Sequence, residues 1–183
     1  MKLEPLDKGY TYHIYNRGIN GENIFTNDEN KKYFLRLMDK YLTDKCAVYS
    51  YCLMNNHFHI LIRVDAEEDM ITQSLSNLFN AYAKAFNKAT NRTGSLFEKH
   101  FKRIRIEDED YQRKLIVYIH MNPKLHFDKD FENFKYSSYQ TFLSNKKTKV
   151  EREEVIELFG GRDNFVFIHK NKKDLINEKY TLE

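Results

Sequence analysis

Apolar and polar positions along the chain change period several times, and each change marks an element. Residues 9–17, GYTYHIYNR, alternate Tyr10, Tyr12 and Ile14 against Thr11, His13 and Tyr15, which predicts a strand. The period then becomes helical over about 28–43, through Tyr33, Phe34, Leu37, Met38 and Tyr41, with Thr26 and Glu29 at capping-box spacing ahead of it. CAVYSYCLM (46–54) predicts a second strand, Asn55-Asn56 a turn, and residues 57–64 a third strand. Leu75, Leu78, Phe79, Tyr82, Phe86 and Ala89 mark one face of a helix over about 70–90, broken by Asn91-Arg92-Thr93-Gly94. FKRIRI, near 101–106, reads as a fourth strand. The order β-α-β-β-α-β predicts an α+β fold: a ferredoxin-like sandwich whose antiparallel sheet has the third strand in a central position.

A further helix is expected from Asp108 to about Asn122, where Pro123 stops it. Tyr111, Leu115 and Ile119 form its packing stripe, and Tyr118 and Asn122 project together from its last turn. Beyond residue 145 the chain is more polar. Lys146, Lys147 and Lys149 lead into a short helix at 151–159, ended by Gly160-Gly161, and a second helical stretch, RDNFVFIHKNKKDL. This predicts one domain over 1–145 and a helical C-terminal extension over 146–183, packed on or beside it.

Composition narrows the class. The chain has 183 residues, enough for one domain with extensions and a core of respectable size. Aromatics make up 15%, with only 6 Gly and 2 Pro, which argues against long disordered tracts. A net charge of +3 says less about partners than the placement of the cations does. Cys46 and Cys52 lie six residues apart in one expected strand, too far to bridge. The opening MKLEPLDKGYTYH has no apolar leader, and no run approaches membrane-spanning length, so a reduced, cytosolic chain is expected.

Candidate chemistry sits in MNNHFHILIRV. Strand alternation turns His57 and His59 one way, and Phe58, Ile60, Ile62 and Val64 the other, towards a core. Two imidazoles about 7 Å apart along a strand can converge on one cation. Taken alone, the pair reads as two histidines on a half-wet sheet face. The central third strand puts them on the open face opposite the two helices. Tyr118 and Asn122 could present a phenol and an amide carbonyl to that site. The run Lys99, His100, Lys102, Arg103, Arg105, interleaved with Phe97, Phe101, Ile104 and Ile106, suits a phosphate backbone. Arg92 and Asn16-Arg17 would join that rim; the bland reading is a charged edge strand guarding against aggregation. His13 reads as structural or DNA-contacting and His120 as a surface or secondary contact, while His100 and His126 carry no motif.

Several stretches, in order, carry a family resemblance: YHIYNRG, the IF and YF pairs about the first helix, YCLMNNHFHILI, RTGSLFEKHFK, YIHMNP and FKYSSY. From residue 10 to about 143 the chain resembles the single-tyrosine HUH transposases, most closely the REP-associated tyrosine transposases of bacterial chromosomes. It departs from them at Asn55, where Pro is usual, and at Tyr136, where Trp is common. The resemblance implies an enzyme that cleaves single-stranded, hairpin-forming DNA and rejoins it. Tyrosine attack on a phosphate leaves a 5′-phosphotyrosine link and a free 3′-OH. It implies Tyr118 as nucleophile, and His57 and His59 with Asn122 as holders of a divalent ion, Mg2+ or Mn2+. The DNA-binding candidates are Arg17, Arg92, Lys99, Lys102, Arg103 and Arg105. REP-like or transposon-end hairpins are the implied partners, the expected state is monomer or homodimer, and the expected place is the bacterial cytoplasm, associated with the nucleoid. One alternative is a replication initiator or relaxase-like nickase, although relaxases place the tyrosine near the N-terminus. Another is a non-catalytic ferredoxin-like nucleic-acid-binding protein. A metal-dependent hydrolase is disfavoured by the shortage of carboxylates around HFH.

Overall fold

A computed structural model describes residues 3–171 of the chain. Four strands, β1 (Thr11–Arg17), β2 (Cys46–Leu53), β3 (His57–Val64) and β4 (Lys102–Ile106), form one antiparallel sheet in the order β2-β3-β1-β4. Helices α1 (Asp28–Leu42) and α2 (Glu68–Thr90) cover one face, which gives the β-α-β-β-α-β sandwich expected from the sequence. β3 is central, paired with β1 from Thr11↔Arg63 to Arg17↔His57 and with β2 from Cys46↔Val64 to Leu53↔Phe58. Its alternation is as read: Phe58, Ile60, Ile62 and Val64 are fully buried under α1 and α2. The Phe58 ring lies 5.0 Å from Phe34 and 5.2 Å from Phe79, and burial of each such side chain stabilises the fold by ~1.5–3 kcal/mol.

The start of α1 differs by one residue from the expected capping box. Asn27, not Thr26, is the cap, and its Oδ1 accepts the Asn30 N–H at 2.9 Å. Asn30 Oδ1 reaches back to accept the Thr26 N–H at 3.1 Å, while Glu29 pairs with Lys32. Asn caps as well as Thr does, and the amide at position 30 supplies the reciprocal bond that Glu29 would have made.

The opposite sheet face is not open. Helices α3 (Glu109–Phe127), α4 (Tyr139–Leu143), α5 (Arg152–Leu158) and α6 (Arg162–Asn171) build a second apolar core on it. Leu61 and Ile106 turn to this side, and apolar area of that size is stabilising only when covered. Described residues after 145 contribute to this core: Val155, Phe159 and Phe165 are buried in it with Leu115 and Ile119 of α3. α6 ends at Asn171 among the described residues, so the rest of its expected stretch lies outside them.

α3 also runs past Pro123, continuing to Phe127. A proline this close to a C-terminus removes one intrahelical bond, and the remaining turn is closed by Lys129 N–H donating to the Pro123 carbonyl at 3.0 Å. Cys46 and Cys52 are both free thiols, and burial pushes Cys46 up to about 12 and Cys52 higher still, so neither is reactive at neutral pH. Among the described residues, no helix is long and apolar enough to cross a membrane.

Candidate active site between the histidine strand and the third helix

β3 and α3 bring the predicted site residues together. His57 and His59 turn to the same side, their rings 5.1 Å apart, and α3 lies over them. The Tyr118 ring meets His59 edge-on at 5.6 Å, and one turn later Asn122 Oδ1 lies 3.1 Å from His57 Nε2. All four residues come from one chain and are at least 95% buried, His57 being the most exposed at 5%. The expectation of a site displayed outside the sheet therefore changes to one enclosed beneath α3.

Neighbours fix the orientation of each donor. Asn122 Nδ2 donates to the Tyr118 carbonyl at 3.0 Å, so its Oδ1 must face His57. His57 Nδ1 lies 2.8 Å from Asn56 Oδ1, and with the Asn56 amide oriented this way Nδ1 carries the proton. A neutral His57 then sets a lone pair on Nε2 against a lone pair on Asn122 Oδ1. That arrangement is stable only with a proton or a cation there, and on this chemistry the residues fit a divalent ion. Among the described residues, no group of three or more His, Cys, Asp or Glu is arranged to hold a metal. The donors available are two imidazoles and an amide oxygen, and an ion held by them would take its remaining ligands from substrate or water.

His13, expected to be structural or DNA-contacting, takes a more specific place. Diagonal to His59 across the β1–β3 pair, its Nε2 lies 2.9 Å from His59 Nδ1, and its ring stacks on Tyr15 and His59. Burial, reinforced by the cost of a second positive charge beside His59, holds His13 well below the ordinary imidazole range. If His59 Nδ1 donates to this neutral ring, the His59 lone pair falls on Nε2. In that tautomer His13 would orient His59 as an outer partner.

A cavity of about 190 Å3 opens beside the histidines, lined by Tyr15, Asn16, Arg17, Glu98 and Lys102. Glu98 was not foreseen; it binds Arg17 Nε at 2.6 Å and so neutralises a cation expected for DNA. Gly18, which ends the NRG sequence here, is obligatory, because a Cβ would lie 2.0 Å from the Glu22 carbonyl oxygen. His126, which carried no motif, stands 5.4 Å from the His57 ring because α3 continues past Pro123.

The basic residues divide between two faces. Lys102 pairs in register with Tyr15 and shares the histidine face, whereas Arg103 pairs with Ile14 on the α1–α2 side. Arg105, paired with Tyr12, is turned the same way as Arg103; it lies over the Tyr10 ring and binds Asp7. Arg92 is engaged by Glu22 and the Ser95 carbonyl. Lys99 and Arg103 line a neighbouring groove of about 690 Å3 that shares Asn16 and Glu98 with the site cavity. Lys99, Lys102 and Arg103 have no ion pair among the described residues.

His120 is a correction: it is fully buried, not a surface contact, because the covered second face receives it. Burial, then the cost of a second positive charge beside His169, holds it well below the ordinary imidazole range. His13 and His120 give a pH dependence. In the folded chain both stay neutral, while in the unfolded chain each takes a proton below about pH 6.5. Stability is therefore full above that pH and falls as pH drops towards the lowered folded values, by up to about 1.4 kcal/mol per pH unit for each histidine. Urea midpoints at pH 7.5, 6.5 and 5.5 should decline across the last step; a flat series would remove the claim that both are held neutral.

Residues 7–122, ending at Asn122, match the family model described as "Transposase IS200 like". No curated protein matches the chain. A solved structure of a REP-associated tyrosine transposase bound to a REP hairpin aligns with a TM-score of 0.63 at 15% identity, covering 79% of this chain and 86% of that one. At that identity the likeness speaks for the fold.

Proposed function

This chain belongs to the IS200-like transposase family, and from that premise we propose that it cleaves and rejoins single-stranded, hairpin-forming DNA through a covalent bond to Tyr118. Transposase-type DNA processing follows from the family; the residues and the substrate are our reading. The observation that carries it is the meeting of Tyr118 with His59 and of Asn122 with His57, two contacts between segments some 60 residues apart in the sequence.

In the proposed step the Tyr118 oxygen attacks the scissile phosphorus as its proton leaves to solvent. The P–O3′ bond breaks, the 3′ oxygen takes up a proton, and the 5′-phosphate remains on the tyrosine. A second 3′-OH reverses the step and conserves the phosphodiester. His57, His59 and Asn122 would hold Mg2+ or Mn2+, which when bound polarises the phosphate and offsets charge on the leaving oxygen. His13 keeps the His59 lone pair on Nε2, and Asn56 does the same for His57. Tyr118 is only 2% exposed, so the α3 side of the cavity must open locally for a phosphate to reach it.

The hairpin bound in the structural neighbour supports a hairpin partner here. Lys102 at the cavity, with Lys99 and Arg103 in the adjoining groove, would follow the strand on either side of the reacting phosphate. Competition between a hairpin with a single-stranded flank and a blunt duplex of equal length should favour the hairpin. Three phosphate contacts by these cations predict a slope of about −2 for log affinity against log salt. Preference for the blunt duplex would overturn the hairpin reading.

A further inference from the structure

α3 carries a histidine that the proposed reaction does not use. His120 follows Tyr118 by two residues, about 200° around the helix, so it points away from the site into the second core. Its Nδ1 lies 2.9 Å from His169 Nε2 on α6, and its Nε2 lies 2.8 Å from Ser138 Oγ, just ahead of α4. His169 Nδ1 lies 2.8 Å from the Phe165 carbonyl oxygen, and Ser138 Oγ accepts the Tyr51 N–H of β2 at 2.9 Å.

The protons in this chain can be ordered with both imidazoles neutral, the Ser138 hydroxyl being shared between His120 Nε2 and the Tyr51 carbonyl at 3.3 Å. A carbonyl only accepts, so His169 Nδ1 donates to Phe165 and its Nε2 becomes an acceptor. His120 Nδ1 then donates to His169, and His120 Nε2 accepts the Ser138 hydroxyl. In this order each ring nitrogen of His120 has a partner, one on α6 and one just ahead of α4. The rings of Tyr139, Phe142 and Phe165 lie 5.7, 5.5 and 5.9 Å from His120, surroundings that an apolar ring would also fill. What the histidine adds is direction, and a satisfied buried polar network favours a single arrangement. Its far end, Tyr51, adjoins Cys52, the register partner of His59. The hydrogen bonds therefore run from the C-terminal extension, through the Tyr118 helix, to the strand beside the metal-facing histidine.

We propose that His120 and His169 are positioning residues, through which the C-terminal extension sets the rotation of α3 and holds the Tyr118 ring against His59. A rotation that carried Tyr118 off His59 would pull His120 off Ser138 and His169 together. The catalytic consequence rests on Tyr118 being the nucleophile; the ring geometry does not.

The test uses the full chain with ring-labelled 13C tyrosine, comparing wild type with His120→Phe and Ser138→Ala, the Tyr118 signal being assigned by its loss in Tyr118→Phe. Below the melting temperature both variants should shift or broaden the Tyr118 ring signal while leaving that of Tyr82, in the other core, in place. Hairpin affinity should change by less than about twofold, while single-turnover adduct formation falls about 10- to 100-fold, the scale of a misplaced reacting group. An unmoved Tyr118 signal in folded variants would overturn the proposal even if their melting temperatures fell. If His120→Phe fails to fold, Ser138→Ala, which removes one hydroxyl, decides alone. If the Tyr118 signal moves but the wild type forms no adduct, positioning stands and the nucleophile reading falls.

Discussion

Tyr118→Phe should abolish the covalent adduct between this protein and a single-stranded hairpin oligonucleotide in Mn2+ or Mg2+, while leaving hairpin binding nearly unchanged. The adduct is expected to survive denaturing gels in the wild type, because its bond is a phosphodiester to the protein. Phenylalanine keeps the ring that meets His59 edge-on and the volume buried beneath α3. One hydroxyl is lost, so stability should shift by no more than about 1 kcal/mol. Without the phenol oxygen no nucleophile remains at that position, and no rearrangement restores one. Tyr111 is the natural control: it lies two turns earlier on the same helix, about 10 Å along the axis. Loss of the adduct in Tyr111→Phe together with its persistence in Tyr118→Phe would reverse the assignment.

The parts of this molecule that were legible in the sequence are those governed by local periodicity. Period two in β3 separated His57 and His59 from Phe58, Ile60, Ile62 and Val64, and the helical stripes located α1 and α2 within a few residues. Tyr118 and Asn122 were visible as neighbours because four residues make just over one turn. What escaped depends on packing between distant segments. The second sheet face looked open because nothing local says that α3 and the C-terminal extension fold back over it. The burial of His120 is hidden for the same reason, and the approach of His126 to His57 because Pro123 reads as a helix end. The basic run is legible as a run, but the pairings Tyr15↔Lys102 and Ile14↔Arg103 decide which cation stands beside the histidines. Glu98 carried no signal, since its role exists only through Arg17, 81 residues away.

His59→Ala should have two effects, separable by measurement. Strand alternation alone predicts that removing this side chain leaves the fold intact, because it turns away from the core under α1 and α2. The covered second face changes that expectation. His59 is 1% exposed, and its Nδ1 is the group bonded to the buried His13 Nε2. Deleting it leaves His13 Nε2 buried without that partner, at a cost of about 1–3 kcal/mol. Replacing both histidines with leucine removes the polar pair altogether and should destabilise less than the sum of the two single changes. Independently of stability, adduct formation should be lost in His59→Ala, and binding of Mn2+, followed by the electron spin resonance of the free ion, should weaken strongly. Asn122→Ala should weaken it less, because a neutral amide oxygen is a weaker electron-pair donor than an imidazole nitrogen and water can take its place. His57→Ala should resemble His59→Ala in metal binding but cost less stability, since its Nδ1 partner Asn56 is only partly buried and can turn to water. Wild-type adduct formation by folded His59→Ala would remove the imidazoles from the proposed chemistry. An unchanged melting temperature would instead show that the His13–His59 bond contributes nothing to the fold, and His13 would then lose its role in orienting the ligand.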